Sequence, residues 1–428
     1  MNSEQVLLIN AIVYSITLVY FLKKHGFSVG ICIWSLYTLS AWSSYFFIQQ
    51  PYYSVSVHQS EQTWMPCVYL YLVFIVAMQP LFKLKSIKEI RFSNPSILKI
   101  LMILSILIQS IFILVDLPTV ISVLSSGTGM LSSLRDTLYD DGLSAVTRIG
   151  LLNKFSLLYS GFRILATGFS VILLYYAPKN RQLTKAFFFI TFANNIRMII
   201  VMVSRGELVS IMLLYMLVFF LIRDRLSKDA KKRILLYGLP VLSLALIFLF
   251  AITVSRFGDR MEYFLFKYLG ESINNFNGIL FKNIKGTTNG RAYFSLFYAL
   301  LGADKIVTTN QKWELINSSI GIPANIFYTW VGGLIIEFGK VTPIIVAIVF
   351  NRMLRNLVKQ VELFPGDVIL LVFFMNFFIR GIFVFPTQNY EGMFMILYTI
   401  ILSFAFRIRR TDGKLVYVLK KKRSPNGR

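Results

Sequence analysis

The chain has 428 residues, 44 Lys and Arg against 20 Asp and Glu, and a formal net charge of +24, yet 56% of it is hydrophobic and its mean hydropathy is +0.65. That composition excludes a soluble globular enzyme and a basic disordered chain, and it describes a polytopic membrane protein. The distribution of the charge, taken up below, excludes nucleic acid as the reason for it.

Eleven apolar stretches of spanning length follow one another, at 4–22, 27–48, 64–82, 98–118, 156–177, 186–203, 206–222, 234–254, 325–351, 366–386 and 391–406. Each is near the ~20 residues that cross ~30 Å of hydrocarbon at about 1.5 Å per residue. The first has no basic leader and no small-residue cleavage site, so it reads as a retained helix rather than a signal peptide. Cys32 lies in the second stretch and Cys67 at the start of the third, as small apolar fillers rather than a disulfide. His25 and His58 fall on opposite sides, and no Cys/His cluster suggests a metal; no cofactor is expected.

Alternate connections hold 28 Lys and Arg on one side and 13 on the other, with three inside the spans; the acids run six against 14. The positive-inside bias then places the N-terminus outside and the C-terminus in the cytoplasm. The charge is topology signal with some attraction to anionic lipid headgroups, and the run 420–423 in the basic cytoplasmic tail 407–428 belongs to it. The cytoplasmic connections are short and carry no phosphate-binding glycine loop, which argues against ATP-driven chemistry there. The whole chain reads as one transmembrane domain with no tandem repeat.

The outer side is different. The connection 119–155 carries Arg135, Asp136, Asp140, Asp141 and Arg148, and the largest, 256–325, runs about seventy residues between the eighth and ninth spans. It is aromatic and mixed in charge, and its stretches 263–267 and 292–301 have the apolar spacing of helices that lie against the bilayer or cap the bundle. Long loops of this kind usually carry function.

Arginine is the theme of that face. Arg205 falls in the tight turn 204–207, at headgroup depth, where a guanidinium can hold a phosphate through two parallel hydrogen bonds. Arg256 and Arg260 are four apart and share a face if the helix continues; Arg135 and Arg291 add to the set. Arg163, Arg197 and Arg380 lie inside spans and are costly unless they face the bundle interior; for the first two, interhelical polar contact is the simpler reading, whereas Arg380 reads as lining a cavity. Acids able to take a hydroxyl proton are Asp136, Asp140, Asp141, Glu207, Glu271, Glu337 and Glu391, with Glu207 foremost because it is tethered to Arg205. Tyr268 and Tyr390 are among the outer aromatics that could stack on sugars or form an interfacial belt.

In this layout, in the 204–207 turn, in the stretch YLGESINNFN at 268–277, in Gly332, Gly333 and Gly339 at the start of the ninth span, and in the spacing of Arg291 and Gly302, the chain resembles the Wzy-type polymerases of bacterial O-antigen and capsule assembly. The resemblance implies an inner-membrane glycosyltransferase that joins undecaprenyl-pyrophosphate-linked oligosaccharide repeat units on the periplasmic face and releases undecaprenyl pyrophosphate, without metal or nucleotide sugar. It implies catalytic roles for Glu207, Arg205 and Arg256. Arg135, Arg260, Arg291, Arg380, Tyr268, Glu271, Tyr390 and Glu391 would bind pyrophosphate or glycan. A chain-length regulator and a flippase are the implied protein partners. O-antigen ligases have a similar layout but use a periplasmic histidine, and 256–325 contains none; a flippase or exporter of lipid-linked oligosaccharide is the rival from another class.

Overall fold

The computed structural model describes residues 2–51, 53, 61–92, 94–125, 150–176, 181–202, 204–232, 258–302, 309–324, 326–360, 362–411 and 414–417, with scattered residues between 233 and 257. Among them seven helices are long and apolar enough to cross a membrane. These are α1 (Ser3–His25), α2 (Val29–Ile48), α3 (Trp64–Met78, carried on to Lys83 by a 3-10 turn), α4 (Pro95–Val115), α6 (Gly150–Tyr176, apolar from Leu158), α7 (Arg181–Met202) and α8 (Arg205–Ile222). Between α4 and α6 lies the short α5 (Leu117–Ser125). The protein is an all-α, multi-pass membrane protein, with two small two-stranded pairings.

Local chemistry sets the ends of these helices. Asn2 and Gln5 close a reciprocal capping box on α1, and Gly26 at φ 69° stops it after Lys23, Lys24 and His25, which complement the helix C-terminus. Ser28 caps α2, Asn94 caps α4 just before Pro95, and Ser204 caps α8 by accepting from the Glu207 amide at 3.3 Å.

The later part of the chain is less regular than its hydropathy. The stretch 325–351 is not one helix. It forms α11 (Thr329–Phe338) and α12 (Thr342–Val358), because Gly339 takes φ 83° and caps α11 through its amide to Ile335 O at 2.8 Å. The stretches 366–386 and 391–406 correspond to α13 (Pro365–Gly381) and α14 (Tyr390–Ala405). Within 256–325 run α9 (Met261–Asn275), which continues into a π-helical turn over Phe276–Leu280, and α10 (Thr309–Ile320). The stretch 234–254 has only scattered described residues, and the run 420–423 lies outside them.

The chain divides into two compact units. The first contains Met1–Lys85, Asp259–Val358 and Phe377–Met393; the second contains Ser86–Gly258, Lys359–Asn376 and Phe394–Arg428. The spacing of 263–267 predicts a helix against the bilayer or capping the bundle; in the first unit that helix, α9, packs along α2. The reason is polar. Its C-terminal half, from Gly270 through the π-helical turn, is buried and hydrogen-bonded to α2 and to the residue before α3. Ser40 donates to Leu269 O at 2.6 Å, Asn274 to Ser44 O at 3.2 Å, and Asn277 to Thr63 O at 2.8 Å. Cys67 is a buried thiol that accepts from Asn277 at 3.0 Å, and Cys32 is buried as a thiol as well.

The second unit is built on α4, α6, α7 and α8, with α7 packed on both α4 and α6, and α8 packed on α6. Residues Glu89–Ile90 (β1) and Glu362–Leu363 (β2) pair in parallel, and Ile408–Thr411 (β3) and Lys414–Tyr417 (β4) form an antiparallel hairpin in the tail.

One close helix approach in the first unit is at Gly270. A Cβ there would come within 2.4 Å of Ser44 N and 2.5 Å of Ser43 C. Gly270→Ala should therefore destabilise the purified protein by about 1–3 kcal/mol through overpacking. Gly206→Ala, where a Cβ meets nothing within 4 Å, should be neutral or stabilising by up to about 1 kcal/mol. Thermal unfolding in one detergent checks both.

Candidate functional site

The polar core of the second unit starts from the sequence of α7, where Thr184, Thr191, Asn194 and Asn195 are all buried. Asn195 accepts from Arg163 Nη1 at 3.3 Å and donates to Thr167 at 2.9 Å and to Tyr215 at 3.2 Å. Arg163, with 2% of its side chain exposed, also reaches Glu207 at 3.2 Å. One turn of α8 thus connects to α6 and α7 through a single guanidinium.

Arg205 and Glu207, the pair singled out in the 204–207 turn, both lie in the first turn of α8. Arg205 is buried at 9% exposure, and the Glu207 side chain is 17% exposed. Glu207 sits where the helix N-terminus favours a carboxylate. Its main visible partner is Arg163, which the sequence reads as interhelical contact. A second pair stands beside the first: Arg197 of α7 bonds Asp116, and its guanidinium lies over the Phe112 ring at 5.5 Å. Arg163 and Arg197 are near enough to feel one another's charge. Buried Arg163 with Glu207, and Arg197, 10% exposed, with Asp116, therefore form two neighbouring ion pairs, and buried Arg205 stands two residues before Glu207 in the first turn of α8.

Asp116 is a residue that the sequence reading passes over. The signal was present: it is a lone carboxylate within the apolar stretch 98–118, where an ionised acid costs about 2.5–3.5 kcal/mol and calls for a partner.

The first unit holds the other described candidates. Arg380, near the end of α13, pairs with Glu391 in the first turn of α14 at 3.8 Å, both side chains 15% exposed. Tyr390 is half-buried beside them. On α9, Glu271 is buried and accepts from Asn275 at 3.1 Å, while the same Asn275 amide donates to Phe327 O at 3.2 Å. Burial pushes the Glu271 carboxyl above its ordinary range, against the charge of Lys267. Tyr268 meets Phe327 and Phe383 with ring centroids 5.7 and 6.4 Å apart. Arg260 and Arg291 are exposed on separate turns. Arg135, Arg148, Arg256, Asp136, Asp140, Asp141 and His58 lie outside the described residues.

Glu337 has a structural task. Fully buried, it accepts from the Thr288 hydroxyl at 2.6 Å and from backbone amides of Gly290, Ala292 and Tyr293, which fixes the turn that carries Arg291. Lys312 of α10 donates to Gln388 O at 3.2 Å and lies over the Tyr293 ring at 5.5 Å. Burial pushes its ammonium down to about 8, with the charge of Glu337 acting the other way.

No protein-family model, no curated protein and no solved structure matches this chain. The functional reading therefore rests on residues and geometry.

Two measurements test this geometry. Arg163→Ala leaves a carboxylate without its buried cation and should destabilise the protein by about 3–5 kcal/mol. The double variant with Glu207→Gln should recover part of that loss in a thermal double-mutant cycle. For Lys312, the folded value near 8 lies below the ordinary ~10.4. The unfolded chain then binds more protons across that window, and stability rises with pH through it. The unfolding temperature should show this rise in the wild type and lack it in Lys312→Met.

Proposed function

We propose that this chain is a glycosyltransferase of the bacterial inner membrane that polymerises oligosaccharide repeat units carried on undecaprenyl pyrophosphate. The observation that supports the reading is the pair of neighbouring arginine–carboxylate contacts, Arg163–Glu207 and Arg197–Asp116, with buried Arg205 in the same first turn of α8 as Glu207, all on helices of spanning length. A lipid pyrophosphate leaving group develops negative charge at headgroup depth, and fixed guanidiniums there stabilise it without reorganisation. In this reading the ends of α4 and α7 and the start of α8 face the periplasm, and eleven spans carry the chain across. Arg205, with Arg256, holds the pyrophosphate. Glu207, positioned by Arg163 and partly exposed, takes the proton of the acceptor hydroxyl as it attacks the anomeric carbon and the lipid pyrophosphate departs. For the glycan, the family resemblance alone proposes Arg380, Glu391, Tyr268, Glu271 and Tyr390, all of the first unit. Arg135, Arg260 and Arg291 are proposed, from the same resemblance, to bind pyrophosphate or glycan.

The rival reading, a flippase or exporter of the same lipid-linked unit, has one observation in its favour. Buried polar side chains continue inward from Asp116 along α4, through Gln109 to Ser105, about 16 Å at helical rise. A path across the membrane needs such a row, and so does a deep substrate cavity.

The two readings separate in cells. Arg205→Ala should abolish polymer while single repeat units still reach their final acceptor, and Arg205→Lys should restore little because an ammonium lacks the paired geometry. Full-length polymer in Arg205→Ala cells contradicts the arginine assignment. Loss of single units from the outer leaflet favours the flippase.

A further inference from the structure

Among the described residues of the second unit several buried polar atoms meet no hydrogen-bond partner, and three of them belong to the amides of Gln109 and Asn194. Gln109 of α4 is fully buried; its amide nitrogen donates to Ser105 at 2.8 Å and to Thr191 at 3.1 Å, while its Oε1 meets no hydrogen-bond partner. Asn194 of α7 is fully buried, and neither its Oδ1 nor its Nδ2 has a partner. Thr191 and Asn194 are three apart on one face of α7, so the two amides belong to one locality. A buried amide left unmatched costs stability. In an apolar span, leucine would do the packing without that cost. A protein that keeps two such amides in one place is keeping them for something that binds.

The unmatched atoms also restrict the ligand. Whichever way the Asn194 amide is turned, it presents one acceptor and one donor, and Gln109 adds another acceptor. A phosphate only accepts and cannot satisfy the carbonyl oxygens. A metal cation or an ammonium would sit beside Arg163 and Arg197, whose charges repel it. A hydroxyl group both donates and accepts and carries no charge. We propose that Gln109 and Asn194 form a subsite for sugar hydroxyls, in the interior of the second unit beside the arginine–carboxylate pairs. This rests on the polymerase reading and assigns a division of labour within it. Arginines hold the pyrophosphate, and the two amides read the sugar attached to it.

The test uses the full chain in nanodiscs, with two probes: undecaprenyl pyrophosphate bearing a single hexose, and bare undecaprenyl pyrophosphate. Wild-type protein should bind the hexose-bearing lipid about tenfold more tightly, the worth of one or two hydrogen bonds. Asn194→Leu and Gln109→Leu should erase that preference while binding bare lipid as before. Their unfolding temperatures without ligand should be unchanged or higher, because an unmatched amide has been replaced by an apolar group. Asn194→Ala serves as a second variant if leucine overpacks. A preference that survives in the variants, together with a lowered unfolding temperature, means that the amides hold structural water and overturns the subsite. A wild type that binds both lipids equally also overturns it, but leaves the polymerase standing. A wild type that binds neither lipid removes the polymerase reading itself.

Discussion

The second unit depends on one requirement: a guanidinium buried among apolar helices must be matched, because hydrocarbon offers it nothing. Arg163 meets that requirement by reaching Asn195 on one neighbouring helix and Glu207 on another. Three helices that share little besides apolar surface are thereby fixed in register at one end. Lipid tails are as apolar as leucine, so hydrophobicity alone does not align spanning helices; close packing and polar contacts do. The same contacts place Arg197 with Asp116, and Arg205 in the first turn of α8. Structural need and candidate chemistry fall on the same side chains. A protein that must bury arginines in order to pack would leave them where a lipid pyrophosphate can use them.

The first unit answers the same constraint with amides instead of charges. Asn274, Asn275 and Asn277 on α9 and its π-helical turn match backbone carbonyls of α2, of the chain before α3 and of residue 327. Gly270 allows the backbone-to-backbone approach that brings them within reach. A π-helical turn changes which side chains share a face and is frequent at functional sites. The result is a polar segment held rigidly next to Glu271, whose carboxyl burial pushes up.

Much of the fold is legible in the sequence, for a definite reason. A span needs about twenty apolar residues, and hydropathy reports that directly, so the first seven stretches reappear as helices within a few residues of their expected limits. The ninth stretch was misread as continuous because Gly339 and Pro343 scarcely change an averaged hydropathy, although they divide one helix into two. For 263–267, apolar spacing leaves open whether the helix lies against the bilayer or caps the bundle, and it cannot show packing on α2 through asparagines. Within the candidate site, Arg205 and Glu207 were readable from the turn they occupy. Their link to Arg163 was not, because it joins residues 44 apart in sequence. Asp116 was readable as a lone acid in an apolar run. Gln109 and Asn194 were not, because an amide in a span becomes informative only once its lack of partners is known.

The central claim is that this chain forms glycosidic bonds between lipid-linked units. The direct test is a cell-free reaction of the purified protein in liposomes with lipid-linked repeat units alone, with no nucleotide sugar or ATP, read as a glycan ladder on a gel. The account predicts a ladder of lengthened chains and release of undecaprenyl pyrophosphate. Absence of a ladder, with movement of the intact lipid-linked units across the bilayer, would contradict it and identify a transporter.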